Sequence, residues 1–173
     1  LVILFLLKMS HVANYYNKEG KRVAQKFRDK DKKFAWLGDT KSSTLFGQHV
    51  FTPNQKLRIV LTEGEIDALS IAEIQDCKYP VVSVPNGASA AVKDVKKNLE
   101  YLMGFEEVLI CFDMDEVGQE AARKVAQLFP PRKAKIVSLP LKDANDMLVA
   151  NRASELQKAL WDAKPYTPEG IIS

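Results

Sequence analysis

The stretch Ile110-Cys-Phe-Asp-Met-Asp-Glu116 is an apolar run that ends in two carboxylates one residue apart. Successive side chains of a strand alternate between its two faces. Asp113 and Asp115 are therefore predicted to point the same way, where the strand gives out into a loop. A pair of carboxylates in such a place predicts a site for a metal ion.

Two further acidic groups follow strand-like segments elsewhere in the chain. Glu63 comes directly after the apolar run Ile59-Val-Leu-Thr62, and Asp143 lies within Leu141-Lys-Asp-Ala-Asn-Asp146. The carboxyl ends of parallel strands meet at one edge of a sheet, so these acids are predicted to share one site. Two carboxylates about 5 Å apart repel each other by ~3 kcal/mol at an effective dielectric of about 20, which makes the cluster unfavourable without a cation. Carboxylate oxygens select Mg²⁺ or Mn²⁺, and such ions bind substrate phosphates.

The rhythm of the chain from Leu57 onward is strand, helix, strand, helix. Strands are predicted over 58–62, 81–84, 108–112 and 135–139, and helices over 65–76, 88–103 and 116–129. This alternation predicts an α/β fold, with right-handed crossovers, a Rossmann-like parallel sheet and helices on both faces. A last amphipathic helix is predicted over 154–163 with Ser154 as its N-cap, and a linker is predicted to start at Lys164.

The first part of the chain has a different pattern, which predicts a small mixed, mainly β subdomain. Asn17-Lys-Glu-Gly20 is typical of a hairpin turn, and short strands are predicted over 1–7 and 46–51. An extended run over 23–34 places four cations on one face: Lys26, Arg28, Lys30 and Lys32. We expect three units: a basic N-terminal subdomain over 1–56, a domain with the parallel sheet over 57–150, and a C-terminal helix with the start of a linker over 151–173.

Charge and cysteine content limit the classes of function. The formal net charge is only +3, but Lys18 to Lys33 carries eight Lys or Arg against three acids. This basic stripe beside an acidic site favours a polyanionic substrate, although a solvated face is the alternative. Cys77 and Cys111 form no paired motif, so neither a zinc module nor a disulfide framework is predicted. The apolar start of the chain is too short to span a bilayer.

Three motifs taken together carry a resemblance to TOPRIM domains: Thr62-Glu-Gly-Glu-Ile-Asp67, Phe112-Asp-Met-Asp-Glu116 and Lys142-Asp-Ala-Asn145. With Val23-Ala-Gln-Lys-Phe-Arg-Asp-Lys-Asp-Lys32 and Pro85-Asn-Gly-Ala-Ser-Ala-Ala91 added, the chain resembles the RNA polymerase domain of the primase-helicases of short-tailed bacteriophages. It is more remotely similar to mitochondrial Twinkle. The resemblance covers about residues 12–173.

The resemblance implies roles for particular residues. Glu63, Asp113 and Asp115 would be catalytic and would bind Mg²⁺ or Mn²⁺, and Asp143 would be a further catalytic acid. Lys26 and Lys32 would bind nucleotide phosphates. The implied function is Mg²⁺-dependent synthesis of short RNA primers from ribonucleoside triphosphates on single-stranded DNA.

The same resemblance implies a setting for this activity. The chain starts with Leu, so we expect it to be part of a longer protein with helicase and zinc-binding domains. The 173 residues contain no phosphate-binding loop of a helicase, so helicase activity is not expected of this segment. The implied location is the cytoplasm of an infected host cell, with an organelle as the alternative, and no membrane association is expected.

Other interpretations of these residues remain open at this point. A TOPRIM nuclease would use the same metals to cleave nucleic acid, and a non-catalytic DNA-binding module of replication is a third possibility. Asp113 and Asp115 could instead cap a helix. The acids Glu65 and Asp67 are expected to complement a helix dipole rather than bind metal, and Asn145 and Asp146 are expected to be capping groups.

Overall fold

The computed structural model describes residues 9–29, 31 and 33–167, which form two sheets. The smaller sheet is antiparallel, with strand order β1-β2-β3: Met9–Tyr16, Arg22–Asp29 and Phe34–Gly38. The predicted hairpin turn joins β1 to β2. There the Gly20 N–H donates to the Asn17 carbonyl at 3.0 Å, and Gly20 takes the positive φ of 74° that the tight turn requires.

The extended run predicted over 23–34 is interrupted. The carboxylate of Asp29 accepts hydrogen bonds from the N–H groups of Asp31 at 2.9 Å and Lys33 at 2.8 Å, which closes a turn between β2 and β3. Lys26 and Arg28 lie two residues apart on β2 and therefore share a face. Lys30 and Lys32, predicted to continue this stripe, lie outside the described residues, as does the strand predicted over 1–7.

The larger sheet has the order β5-β4-β6-β7-β8, in which β4 to β7 are parallel and β8 is antiparallel. Its strands are β4 Arg58–Thr62, β5 Val81–Ser83, β6 Glu107–Cys111, β7 Ala134–Ile136 and β8 Lys164–Pro165. The helices are α1 Glu65–Ile74, α2 Ala91–Lys97, α3 Leu99–Met103, α4 Glu116–Ala126, α5 Ala144–Val149 and α6 Ala153–Trp161. The predicted α/β class, with a parallel sheet preceded by a mainly β part, is confirmed.

Helices cover both faces of the larger sheet because successive strand residues point to opposite sides. Ile59 and Leu61 belong to the core that includes residues of α2, α3 and α4. Val60 between them belongs to a second core, formed with α1, α5 and α6. All three side chains are buried. A strand that is buried on both faces has a continuous apolar sequence, and this run predicted β4 correctly.

Two predicted elements of the larger domain have different bounds. The single helix predicted over 88–103 is a 3-10 turn followed by α2 and α3, with a break at Asn98. The buried Asn98 side chain donates to the Asp94 carbonyl at 2.9 Å. This side-chain hydrogen bond takes the place of a backbone hydrogen bond at the break between the two helices. Helix α6 begins at Ala153 after Arg152, so the prediction of Ser154 as its N-cap is wrong.

Two predictions about irregular segments are also wrong. The strand expected over 46–51 is one isolated bridge between Phe46 and Ser83, followed by a 3-10 turn, because Gly47 with φ 80° turns the chain. The linker predicted from Lys164 does not begin at that residue. Lys164 and Pro165 form β8, and the Tyr166 N–H donates to the Ala134 carbonyl. Within the described residues, no helix is long and apolar enough to cross a membrane.

Candidate active site

The acidic residues predicted from the sequence meet at the carboxyl edge of the parallel strands. The loops after β4 and β6 carry Glu63 and Asp113, and the segment between β7 and α5 carries Asp143. These three acids line a cleft of about 760 Å³, together with Lys26 from the small sheet. The cleft therefore joins acids of the larger sheet to a cation of the smaller one.

Glu63 is a partly buried residue of this cleft. Its Oε1 atom accepts a hydrogen bond from the Ala88 N–H at 3.2 Å, which follows Gly87 with φ 69°. Its Oε2 atom is buried and has no hydrogen-bond partner within the described part of the chain. Burial, followed by the charge of Asp113, raises the pKa of Glu63 above its ordinary value. Both effects act against the ionised form, so a nearby cation would stabilise it.

Asp113 and Asp115 have different surroundings. Asp113 lines the cleft and pairs with Lys142, with 3.2 Å between Oδ2 and Nζ, while burial raises the pKa of Asp113. Asp115 is the N-cap of α4, and its Oδ1 accepts the Gly118 N–H at 2.9 Å. Strand β6 already ends at Cys111. The alternation of side chains along a strand therefore does not make Asp113 and Asp115 point the same way. The structure thus brings Asp113, but not Asp115, to the wall of the cleft.

Gly118 explains how the first turn of α4 comes so close to this loop. A Cβ atom on Gly118 would lie 2.4 Å from the carbonyl oxygen of Asp113, which is shorter than real contacts allow. Only glycine leaves room for the backbone of the acidic loop at this position.

Asp143 combines a place in the cleft with a structural role. It is the N-cap of α5, and its Oδ1 accepts the Asp146 N–H at 2.7 Å. The expectation that Asn145 and Asp146 are the caps is therefore wrong. The Asn145 N–H instead donates to Asp67 Oδ1 at 3.1 Å, and Asn145 Oδ1 accepts from the hydroxyl of Ser70.

Asp67 is a site residue that the sequence reasoning missed. It lies in the first turn of α1, lines the cleft and is largely buried. Burial, followed by the charges of Asp143 and Asp113, raises the pKa of Asp67 from 3.8 to about 7. Asp67 is the last residue of the motif Thr62-Glu-Gly-Glu-Ile-Asp67. The motif alone gave no indication that α5 would pack against the carboxyl group of Asp67.

Lys26 reaches the cleft from β2 with several fixed partners. Its Nζ lies 2.8 Å from Glu65 Oε1 and donates to the Pro85 carbonyl at 2.7 Å. The buried hydroxyl of Tyr15 also donates to Glu65 Oε1. Glu65 therefore links the small sheet to the first turn of α1, in addition to the helix-dipole role expected for it. Lys32, the other predicted phosphate-binding residue, lies outside the described residues.

No three Asp, Glu, His or Cys side chains within residues 9–29, 31 and 33–167 converge into a ready metal centre. Asp115 and Asp143 accept helix N–H groups and Asp113 pairs with Lys142, so each has a local partner. Glu63 Oε2 is the exception, because a buried carboxylate oxygen without a partner is energetically costly. Oxygen donors of this kind fit a hard divalent cation.

A second groove of about 760 Å³ opens at the opposite edge of the larger sheet. It is lined by residues at the start of the strands, such as Arg58 at the beginning of β4 and Pro80 just before β5, and by the exposed Trp161. Its acids Glu106 and Asp162 come from separate segments, and neither follows a strand of the parallel sheet. Because ligands of open α/β sheets bind at the carboxyl edge, the acidic cleft is the better candidate for chemistry.

The chain belongs to the Toprim-like family, which matches residues 60–148. Residues 7–38 match a second family, described as the N-terminal a+b fold of the bacteriophage T7 DNA helicase/primase. Glu63, Asp113 and Asp143 all lie in the first matched region. The resemblance predicted from the motifs is confirmed by these matches.

One relative is similar to this chain along almost its whole length. The DNA helicase/primase of Enterobacteria phage T3 is 45% identical over 166 residues, which are 96% of this chain and 29% of the phage T3 protein. The chain thus spans less than a third of that relative.

Two solved structures are similar in both sequence and fold. The primase fragment of the bacteriophage T7 primase-helicase is 46% identical with a TM-score of 0.81, over 87% of this chain and 62% of the fragment. The second is a T7 lagging-strand DNA polymerase interacting with primase domains of two gp4 subunits bound to an RNA/DNA hybrid and dTTP. It matches at 46% identity and a TM-score of 0.83, over 90% of this chain and 78% of the matched chain.

Proposed function

We propose that this chain carries the catalytic centre of a DNA primase, which condenses ribonucleoside triphosphates into short RNA primers on single-stranded DNA. Membership of the Toprim-like family and the similarity to the phage T3 and T7 proteins support this function. The observation that carries the proposal is the buried Oε2 of Glu63, which has no hydrogen-bond partner among the described residues and lies near Asp113 in the cleft.

Glu63, Asp113 and Asp115 would hold Mg²⁺ or Mn²⁺ at this edge of the sheet. Such an ion, when bound, lowers the pKa of an attacking hydroxyl and neutralises charge on phosphate. The protein supplies the negative field that attracts the ion. Burial raises the pKa of Glu63 and of Asp113, and the charge of a neighbouring acid adds to the rise in each case, that of Asp113 for Glu63 and that of Asp143 for Asp113. Asp143 adds a fourth charge, since it contributes to the raised pKa of Asp67.

Lys26 and Lys32 would bind the nucleotide phosphates. The partners of Lys26 hold its ammonium group at the wall of the cleft, with a side chain that is only 11% exposed. A cation fixed in this way can attract a triphosphate without first losing side-chain freedom. Asp67, whose pKa is about 7, would hold or release a proton in the same cleft near neutral pH.

The wider setting is part of the same proposal. We propose that residues 1–56 form a basic N-terminal subdomain, residues 57–150 the TOPRIM domain, and residues 151–173 a C-terminal helix and, after β8, the start of a linker. Helicase and zinc-binding domains of a longer parent chain would be covalent partners, which is compatible with the 29% coverage of the phage T3 protein. The proposed location is the cytoplasm of an infected host cell, with an organelle as the alternative.

A metal-binding measurement tests the site directly. Glu63→Gln should weaken Mn²⁺ binding at least tenfold, because it removes the charge but keeps the shape of the side chain. Mn²⁺ titration followed by the relaxation of water protons measures this affinity without any turnover. Glu100→Gln is the matched control, because Glu100 is exposed on α3, away from the cleft. Equal Mn²⁺ affinity in the two variants would rule out Glu63 as a ligand.

An activity measurement separates the proposed reaction from its rivals. The chain is incubated with labelled ribonucleotides, Mg²⁺, single-stranded DNA and a short oligoribonucleotide. Extension of the oligoribonucleotide is the expected result. Degradation of the DNA would indicate a nuclease, and retention of DNA without synthesis would indicate a non-catalytic binding module.

A further inference from the structure

An apolar recess of about 300 Å³ lies between the small sheet and helix α1. Its walls include Val12 and Phe34 from the sheet, Phe46 from the following loop, and Ile66 and Leu69 from the helix. The volume is at the lower end of the roughly 300–1,000 Å³ typical of small-molecule sites. The recess is therefore large enough for a flat heterocycle but not for a folded segment.

The rim of the apolar recess is unusually exposed for its composition. Phe34 is 55% exposed and Leu69 54%. Single exposed apolar residues are ordinary, but two that line the same recess, one from the sheet and one from the helix, form a patch of the kind that marks a binding surface.

The apolar recess adjoins the acidic cleft. Both are lined by Lys26, Arg28, Phe34, Glu65 and Ile66. A molecule with its phosphates among the cations of the cleft would therefore have an attached ring beside the recess.

Two cationic side chains lie near the ring of Phe34. Lys26 Nζ lies 4.6 Å from the ring centroid, and Arg28 Cζ lies 5.5 Å from it. Arg28 is also the direct cross-strand neighbour of Phe34, and it forms no ion pair with any acid in the part of the chain that the structure describes. Aromatic rings flanked by Arg or Lys are how proteins stack bases while neutralising phosphates.

We propose that the apolar recess binds a nucleobase, stacked on Phe34, of a nucleotide whose phosphates lie in the acidic cleft. This inference rests on the proposed function, because it needs phosphates in the cleft. The base belongs either to a nucleoside triphosphate or to the template strand. Phe34 acts in both cases as a binding residue that recognises the aromatic ring and not a particular base sequence.

The test uses the 173-residue chain and the fluorescence of Trp36, which lines the acidic cleft. Trp161, the second of the two tryptophans, lines the groove at the opposite edge and is 75% exposed, so Trp161→Phe leaves Trp36 as the sole reporter. In that background, Mg²⁺-ATP is titrated against Mg²⁺-tripolyphosphate, which has the phosphates without a base. A single-stranded oligodeoxynucleotide is titrated against the same backbone with abasic sites.

Phe34→Leu should weaken ATP or the oligodeoxynucleotide about fivefold or more, because base stacking is lost, and should leave tripolyphosphate unchanged. Loss for ATP identifies the incoming nucleotide as the source of the base, and loss for the oligodeoxynucleotide identifies the template. Phe34→Tyr should restore binding. Leu37→Ala, at another exposed position on β3, is the control and should change neither affinity.

Three results would overturn the inference. The first is that Phe34→Leu changes no affinity, and the second is that it weakens tripolyphosphate as much as ATP. The third is that it alters the sedimentation of the unliganded chain, which would make the recess an interface between copies. A further comparison, of ATP with tripolyphosphate, uses the chain with native Phe34. Equal affinities for the two ligands would contradict binding of the base in the recess. Absence of tripolyphosphate binding would instead count against the proposed function.

Discussion

Asp67→Asn should stabilise the folded chain above neutral pH while leaving its stability in acid unchanged. Asp67 is largely buried, and its Oδ1 accepts the Asn145 N–H at 3.1 Å. Burial, followed by the charges of Asp143 and Asp113, raises the pKa of Asp67 to about 7. An asparagine keeps an oxygen for the same hydrogen bond and carries no charge at any pH.

The size of the effect follows from proton linkage. In the unfolded chain this carboxyl group loses its proton near pH 3.8, whereas in the folded chain it keeps the proton up to about pH 7. The folded state binds more protons within this window, so its free energy of unfolding falls by about 1.4 kcal/mol per pH unit. The stabilisation is fully present below pH 3.8 and is lost as the pH rises through about 7. The whole loss amounts to about 4 kcal/mol, which the Asp67→Asn variant avoids.

Urea denaturation followed by circular dichroism, at pH values on both sides of this window, measures the effect. EDTA is included, because a bound cation would change the pKa of the neighbouring acids. The control is Asp76→Asn, since Asp76 is exposed and its φ of 50° is one that asparagine tolerates. The reasoning fails if both variants follow the pH profile of the unchanged chain, or if Asp67→Asn shifts stability equally at every pH.

Three further changes should have distinct effects on stability. Asp115→Ala should cost about 1 kcal/mol, because α4 loses its N-cap, whereas Asp115→Ser should keep most of that stability and still lose Mn²⁺ affinity. Gly118→Ala should cost about 1–3 kcal/mol, since its Cβ would press against the Asp113 carbonyl, and urea denaturation measures the loss. Tyr15→Phe should cost about 1–3 kcal/mol by the same assay, because Glu65 loses a buried donor.

These three predictions have separate controls. For Asp115, equal Mn²⁺ affinity in the Ser variant and the unchanged chain would show that the residue is only a helix cap. For Gly118, the comparison is Gly20→Ala, where no atom lies within 4 Å of the added Cβ and only the positive φ opposes the change. For Tyr15, an unchanged midpoint in the Phe variant would mean that the hydroxyl contributes nothing net.

The sequence was most informative where one local pattern decides the structure. The run Ile59-Val-Leu predicted β4 because each of its residues is buried on one face or the other of the sheet. Placing Glu63 and Asp113 after parallel strands predicted their meeting at one edge. Both inferences need only the period of a strand and the direction of the chain.

The surroundings of the acids depended on contacts far apart in the chain. The Asp67 carboxylate accepts a hydrogen bond from the Asn145 N–H, 78 residues away, and Lys26 donates to the carbonyl of Pro85, 59 residues away. Whether an aspartate after a strand points into a cleft or caps the next helix is also not visible locally, because the same residue type suits both roles. Asp115 and Asp143 each accept a bond from a helix N–H group for this reason.

The contact of Lys26 with Glu65 and Pro85 has a consequence for attempts to transplant the site. Lys26 belongs to the small sheet, and its two partners follow strands of the large one. A chimaera that grafts only the segment after residue 56 into another scaffold would keep the acids and Lys142, but it would lose the cations that Lys26 and Arg28 bring to the cleft. It would also leave Glu65 without the donors that Lys26 and Tyr15 provide. Because both sheets contribute side chains to the cleft, we expect the proposed activity to survive recombination only when the crossover keeps β2 together with the loop after β5.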